Sequence, residues 1–544
     1  MPVTLYRNGA VYTPADPFAT ALVVDGETVA WVGSDDTAAT FSDGVDEVVD
    51  LQGGLVAPAF VDAHVHVTET GLALGGVDLS ATRTLTEALD LVAAAARRAP
   101  GQRVLGHGWD ERLWPEQRPP SRAELDRAAS GAEVYLSRVD VHSAVVSSAL
   151  AQRGGLADLP GWDDGRVERD AHHRARDLTR NLSAAERRAA QERALRAAAA
   201  AGVGAVHECA APHIGSPEDL QALLALTDGG GYPVVVPYWG QAVADDESLR
   251  AVLDALGAEV GPRVAGLAGD LCVDGSVGSR TSAFREPYAD AVAAGLPADH
   301  RGHLYLTAEE VAAHLVATTR AGLQGGFHVI GDAAVDAVLE GAARAAEQVG
   351  LEALRGARHR LEHVEAVDDA AVAALARLGL TASVQPAFEA FWGGPHGMYA
   401  ERLGAERGTR LNRFGSLAAA GVPLALGSDS PVTPFDPWSS IRACAFHSDP
   451  EERISARAAF LAATRGGWRA ARRDGEGVLV PGGPATLAVW EPAELVVQAP
   501  DERVQAWSTD PRSGTQGLPD LTPGVTLPRC RRTVVAGAVV HDAL

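Results

Sequence analysis

Eight short strand-like runs, most of them apolar, separated by segments with helix signals, constrain this 544-residue chain more than any other feature. They fall at residues 56–63, 203–207, 234–239, 270–273, 326–330, 359–363, 381–384 and 423–427. Short continuous apolar runs read as parallel strands buried on both faces. Helices between them are the crossovers that parallel pairing requires. Two helix starts carry capping boxes, Ser183 with Glu186 and Thr307 with Glu310, and each helix feeds directly into a strand. The expected fold is α/β, a (β/α)₈ TIM barrel. The gap between the first two runs is far too long for one helix. Residues of about 68–182 therefore read as an inserted subdomain with a strand of its own at 133–138, and a smaller insertion falls within 276–305.

The two ends of the chain read differently. Residues 1–55 break into strand-like pieces at 5–12, 21–24, 28–32 and 45–51, with Gly9, Asp25-Gly26 and Gly33 as turn formers. Residues 485–490 and 533–540 are similar. The expected organisation is a small β-sandwich made from both termini, with parts 1–55 and 480–544, around a barrel spanning 56–479.

Composition narrows the class. Hydrophobic residues at 46% and charged residues at 22% suit a globular chain. No run of 18 apolar residues occurs, and the first residues lack a basic segment before an apolar core, so a cytoplasmic protein is expected. Cys209, Cys272, Cys444 and Cys530 stand far apart and read as free thiols. A net charge of −24 argues against nucleic acid or an anionic membrane as partner and leaves a small-molecule substrate. The chain contains no lysine.

Functional side chains in such barrels gather at the C-terminal ends of the strands. The first run ends in Asp62-Ala63-His64-Val65-His66, where alternation puts both imidazoles on one face, able to chelate one metal ion. The fifth carries His328, the sixth His363 and the eighth Asp429. Any one of these has an ordinary structural explanation; four together point to a site.

This constellation resembles the amidohydrolase superfamily, more narrowly the branch containing N-substituted formamide deformylase. The resemblance covers nearly the whole chain. It is carried by Gly106-His107-Gly108-Trp109-Asp110, the run 118–126, Asp140-Val141-His142, the run 274–281, His328 to Asp332, Glu362-His363 and Ser428-Asp429-Ser430-Pro431. It implies hydrolysis of a C–N bond in an amide, formamide or cyclic amide. His64 and His66 would hold a divalent ion, with His328, His363 and Asp429 as further ligands. Asp429 would be the general base, with His363 and His328 as catalytic partners that orient water or carbonyl. His142, Arg280, Trp109 and Asp110 would contact substrate, although Trp109 reads equally as core and Arg280 as a loop ion pair. Asp332, Glu365 and Glu208 would orient the histidines. His172-His173, in an arginine-rich stretch, reads as solvated surface.

Many relatives bridge two ions with a carboxylated lysine on the fourth strand. Here Asp270 occupies that position, and a side chain so much shorter is expected to fall short of a bridge. The expectation is one ion, Zn²⁺ by its His and carboxylate ligands, with Fe²⁺ or Mn²⁺ also suited, and no organic cofactor. A homodimer would be usual for such barrels. Two other readings remain: a deaminase on the same metal site, and a barrel without catalysis that binds a ligand or partner.

Overall fold

The apolar run at 56–63 serves two sheets. Leu55–Pro58 pairs antiparallel with Leu487–Trp490 near the other end of the chain, whereas Phe60–Val65 pairs parallel with Val203–Ala210. A computed structural model describes residues 2–139, 143–498, 507–508 and 516–544.

Eight parallel strands follow one another around a barrel in sequence order: β1 (Phe60–Val65), β2 (Val203–Ala210), β3 (Val234–Trp239), β4 (Gly266–Leu267), β5 (Gln324–Val329), β6 (Arg360–His363), β7 (Thr381–Val384) and β8 (Leu424–Leu426). A parallel bridge between Val65 and Ser430 brings the end of β1 to the residues after β8. With helices between the strands, this is a (β/α)₈ TIM barrel.

The fourth strand differs from the expected 270–273. Gly269 adopts φ +84°, which ends the ladder just after Leu267. Cys272 then rejoins the sheet at a single bridge to His328. No helix or strand is found between Leu267 and the helix Ala308–Arg320, which begins at Thr307 with the expected capping box. Asp274 pins this long loop. Its carboxylate accepts the N–H groups of Ala283 (2.9 Å), Ile330 (3.0 Å) and Gly331 (2.7 Å).

The termini meet in the expected sandwich. One sheet orders Thr28–Gly33, Ala21–Asp25, Val3–Arg7 and Glu47–Asp50. The other orders Ala10–Val11, Leu55–Pro58, Leu487–Trp490, Cys530–Val535 and Ala538–Asp542. Tyr6, Leu22, Val24, Val56, Leu487, Val489 and Val534 share its core.

Residues 67–194 form a compact unit of their own. Its six-stranded sheet includes Val104–Trp109 and Val134–Arg138, with Trp109, Trp114 and Leu136 in one core cluster. His172 is buried there, its Nε2 2.9 Å from the Tyr135 hydroxyl, which corrects the solvated-surface expectation. The helix carrying it turns an apolar face inward through Ala171, Ala175 and Thr179. Among the described residues, no helix is long and apolar enough to cross a membrane.

Candidate metal centre

The end of β8 is sewn to the end of β1. Asp62 accepts the Ser428 N–H (2.8 Å) and the His64 N–H (3.3 Å), the Asp429 N–H donates to His64 O (2.8 Å), and the His66 N–H donates to Ser430 O (3.0 Å). Burial raises the Asp62 carboxyl to about 6. Asp429 sits at φ 56°, a left-handed conformation uncommon for a residue with a side chain and one that recurs at functional sites. This stitching delivers His64, His66 and Asp429 to one buried spot.

Asp270 joins them. The loop after β4 brings its carboxylate to 3.3 Å from His64 Nε2 and 3.2 Å from His66 Nε2. So short a side chain nevertheless reaches this donor set, because the chain leaves the ladder at Gly269 and the backbone itself carries Asp270 inward. Asp429 Oδ1 lies 3.5 Å from His64 Nε2 and 3.1 Å from His66 Nε2. Burial would raise Asp270, but the charges of His64 and His66 hold it well below the ordinary carboxylate range.

These separations can be tested against a metal ion. Ligand arms of about 2.1 Å in a tetrahedron put neighbouring donor atoms roughly 3.4 Å apart. His64 Nε2, Asp270 Oδ1 and Asp429 Oδ1 are buried, meet near that spacing, and make no hydrogen bond. Orphaned buried polar atoms are costly unless something unites them. The donor set fits a divalent cation.

His363 shares a second donor group with His64 and Asp270, and His328 stands beside it. Their rings lie 4.5 Å apart between centroids, and His363 lies 5.1 Å from His64. His328 Nε2 donates to Gly275 O (3.1 Å), which turns Nδ1 toward Asp270 Oδ1 at 3.7 Å. Burial opposes its charge, yet Asp270 raises the imidazole to about 9. His363 Nδ1 donates to Gln385 Oε1 (2.7 Å), leaving Nε2 available; burial and then the His328 charge lower it to about 3.

The backbone at His363 is unusual. Val364 donates its N–H to Glu362 O (3.0 Å), and His363 between them has φ 72°. That is a γ-turn of the rare left-handed kind. Ordinary alternation would point Glu362 and His363 to opposite faces. Here His363 packs beside the His64 ring while Glu362 Oε2 lies 2.9 Å from His64 Nδ1. Both Glu362 oxygens also accept from Arg360, at 2.6 and 2.9 Å. Arg360 is fully buried. It donates to His207 Nδ1 (2.9 Å) and Ala63 O (2.6 Å), and lies 4.4 Å over the Tyr238 ring. Burial and the Arg360 charge keep His207 well below the ordinary imidazole value.

The expected substrate contacts fare differently. His142 lies outside the described residues. Trp109 and Asp110 belong to the inserted unit. There the Trp109 indole N–H donates to Leu136 O (2.9 Å), and Asp110 pairs with Arg112 (2.7 Å) and Arg138 (3.4 Å). Arg280 makes the loop ion pair instead, a two-pronged contact to Asp290 at 2.9 and 2.6 Å. Asp332 accepts the Arg285 N–H rather than touching a histidine of the cluster (2.7 Å). Glu365 is buried, and burial raises it to about 7. The roles of Arg360, Glu362 and Gln385 went unread in the sequence. The one available signal was a pair of opposite charges two residues apart in a short parallel strand.

Comparison with known proteins agrees with this geometry. The chain is 28% identical over 522 residues to Protein LONG AFTER FAR-RED 3 of Arabidopsis thaliana, covering 88% of this chain and 85% of the relative. It is 33% identical over 156 residues to N-substituted formamide deformylase of Arthrobacter pascens, a stretch covering 28% of this chain and 29% of the relative. An uncharacterised metal-dependent hydrolase of Pyrococcus furiosus superposes with a TM-score of 0.72 at 28% identity, covering 90% of this chain and 99% of that one. The model of the amidohydrolase family matches residues 47–541, and with the metal-fitting cluster at the mouth of its barrel this chain belongs to that family.

Proposed function

We propose that this protein hydrolyses a C–N bond in a small amide, formamide or cyclic amide, using one divalent ion, zinc by its ligand set. The observation that carries this reading is two overlapping groups of donor atoms, one on His64, His66 and Asp429 and one on His64, Asp270 and His363, each close enough to hold an ion, with His64 Nε2, Asp270 Oδ1 and Asp429 Oδ1 buried and without hydrogen bonds. A bound divalent ion supplies Lewis acidity, drawing the pKa of water toward ~7 and polarising a scissile carbonyl. Asp429 accepts the proton of the attacking water at a carboxylate oxygen and returns it to the departing nitrogen. His328 Nδ1 and His363 Nε2, fixed by Gly275 and Gln385, orient the carbonyl. The name of the Arthrobacter relative, N-substituted formamide deformylase, supports N-formyl compounds as the first substrates to screen.

The test combines metal analysis with turnover. Purified protein is expected to hold about one zinc per chain and to release amine from one class of amide, formamide or cyclic urea. Asp429→Asn should fold and lose turnover by at least ~10²-fold. A metal-replete protein in which Asp429→Asn keeps full activity removes Asp429 from the mechanism.

A further inference from the structure

Glu362 and Arg360 lie beside the candidate ligands, and Glu362 meets His64 on Nδ1. Glu362 is completely buried, as is Arg360. A lone buried carboxylate would be costly, and Arg360 offsets that cost with two hydrogen bonds to it. The remaining contacts of Arg360, to Ala63 O, His207 Nδ1 and the hydroxyl of Ser383 (3.0 Å), tie its guanidinium to β1, β2 and β7. The carboxylate is thereby fixed to the barrel wall. Its Oε2 meets His64 on the ring nitrogen that faces away from Asp270 and Asp429.

We infer that Glu362, clamped by Arg360, is a positioning residue for the metal ligand His64. It accepts a hydrogen bond from Nδ1–H, which fixes the tautomer and aims the Nε2 lone pair at the ion. Its negative charge makes that imidazole a stronger donor. The γ-turn at His363 is what permits this: one strand end supplies a ligand candidate and, from the adjacent position, the support for a ligand on another strand. The inference rests on the reading that His64 holds a divalent ion.

The experiment measures Zn²⁺ affinity by competition with a chelator, on wild type, Glu362→Gln and the double variant Arg360→Met/Glu362→Gln. The double variant removes both buried charges together, so it avoids a stranded guanidinium. The expected result is folded protein by circular dichroism with affinity ~10–100-fold weaker. Glu362→Asp, which keeps the charge, should recover part of the loss. A purely structural role would lower thermal stability of the metal-free form and leave affinity alone. Affinity within about twofold of wild type in any folded Glu362→Gln variant overturns the inference. Histidine ¹⁵N–¹H correlation spectra of the zinc-loaded wild type need no variant: a proton on His64 Nδ1 is expected, and one on Nε2 overturns the inference. If wild type binds no zinc, the functional reading fails first, and the two failures are told apart.

Discussion

Two further histidines show how firmly single residues are set in this barrel. His314, on the helix Ala308–Arg320, donates from Nε2 to Leu267 O (2.9 Å) and accepts the Val243 N–H at Nδ1 (3.2 Å). Both nitrogens are engaged, and only a neutral ring can do both. His359 likewise accepts the Gly325 N–H at Nδ1 (2.8 Å). Burial lowers His314 to about 4 and His359 to about 3. In the unfolded chain each titrates near ~6.5. Below that value the unfolded chain takes up protons that the fold refuses. The stability they contribute is therefore complete above about pH 6.5 and is lost as pH falls toward about 4 and 3. Urea unfolding of metal-free protein near pH 7 and near pH 5 should show His314→Gln losing less stability than wild type over that interval. Equal losses would mean that His314 is not buried neutral. Legibility at this scale was uneven. His64, His66, His328, His363 and Asp429 were readable because strand ends and spacing announce them. Asp270 was judged by side-chain length, when the backbone supplied the reach. Glu362 was hidden because alternation, the rule used to read strands, fails at a left-handed residue.

At the scale of elements, the junction of β8 with β1 brings two backbones close together at the candidate metal centre. A side-chain carbon at Gly427 would stand 2.6 Å from His64 N and 2.9 Å from His64 Cβ, so only glycine lets the two segments approach this closely. Gly427→Ala should cost about 1–3 kcal/mol of stability as the backbone gives way. It should also weaken zinc retention against a chelator, because the displaced residue, His64, is a proposed ligand. Unchanged retention would show that His64 tolerates movement. The strand pattern was legible at 234–239 and 381–384, which match β3 and β7 residue for residue. It misled at β4, where the β-prone stretch 270–273 lies beyond a glycine turn and only Gly266–Leu267 enters the ladder. It also merged Leu55–Pro58 with β1, since one apolar run carries no mark of passing from sheet to sheet.

At the scale of the whole molecule, the sandwich is the feature that sequence composition foretold from both ends. Its five-stranded sheet places Leu487–Trp490 between Leu55–Pro58 and Cys530–Val535. Deleting residues 530–544 would open the edge of Leu487–Trp490 and uncover the apolar side chains packed on Val534. Such a protein should accumulate mainly in the insoluble fraction on expression; a soluble, zinc-binding truncation would show that the barrel stands without the last two strands. The same pairing bears on how the molecule is made. A ribosome delivers Leu55–Pro58 more than 400 residues before its partner Leu487–Trp490. At the usual ~5–20 residues per second, the early strand waits on the order of half a minute with the edge that faces Leu487–Trp490 unmatched. Synthesis therefore passes through a stage in which the front sheet is half built, and the nascent chain must be sheltered from its neighbours until the far end emerges.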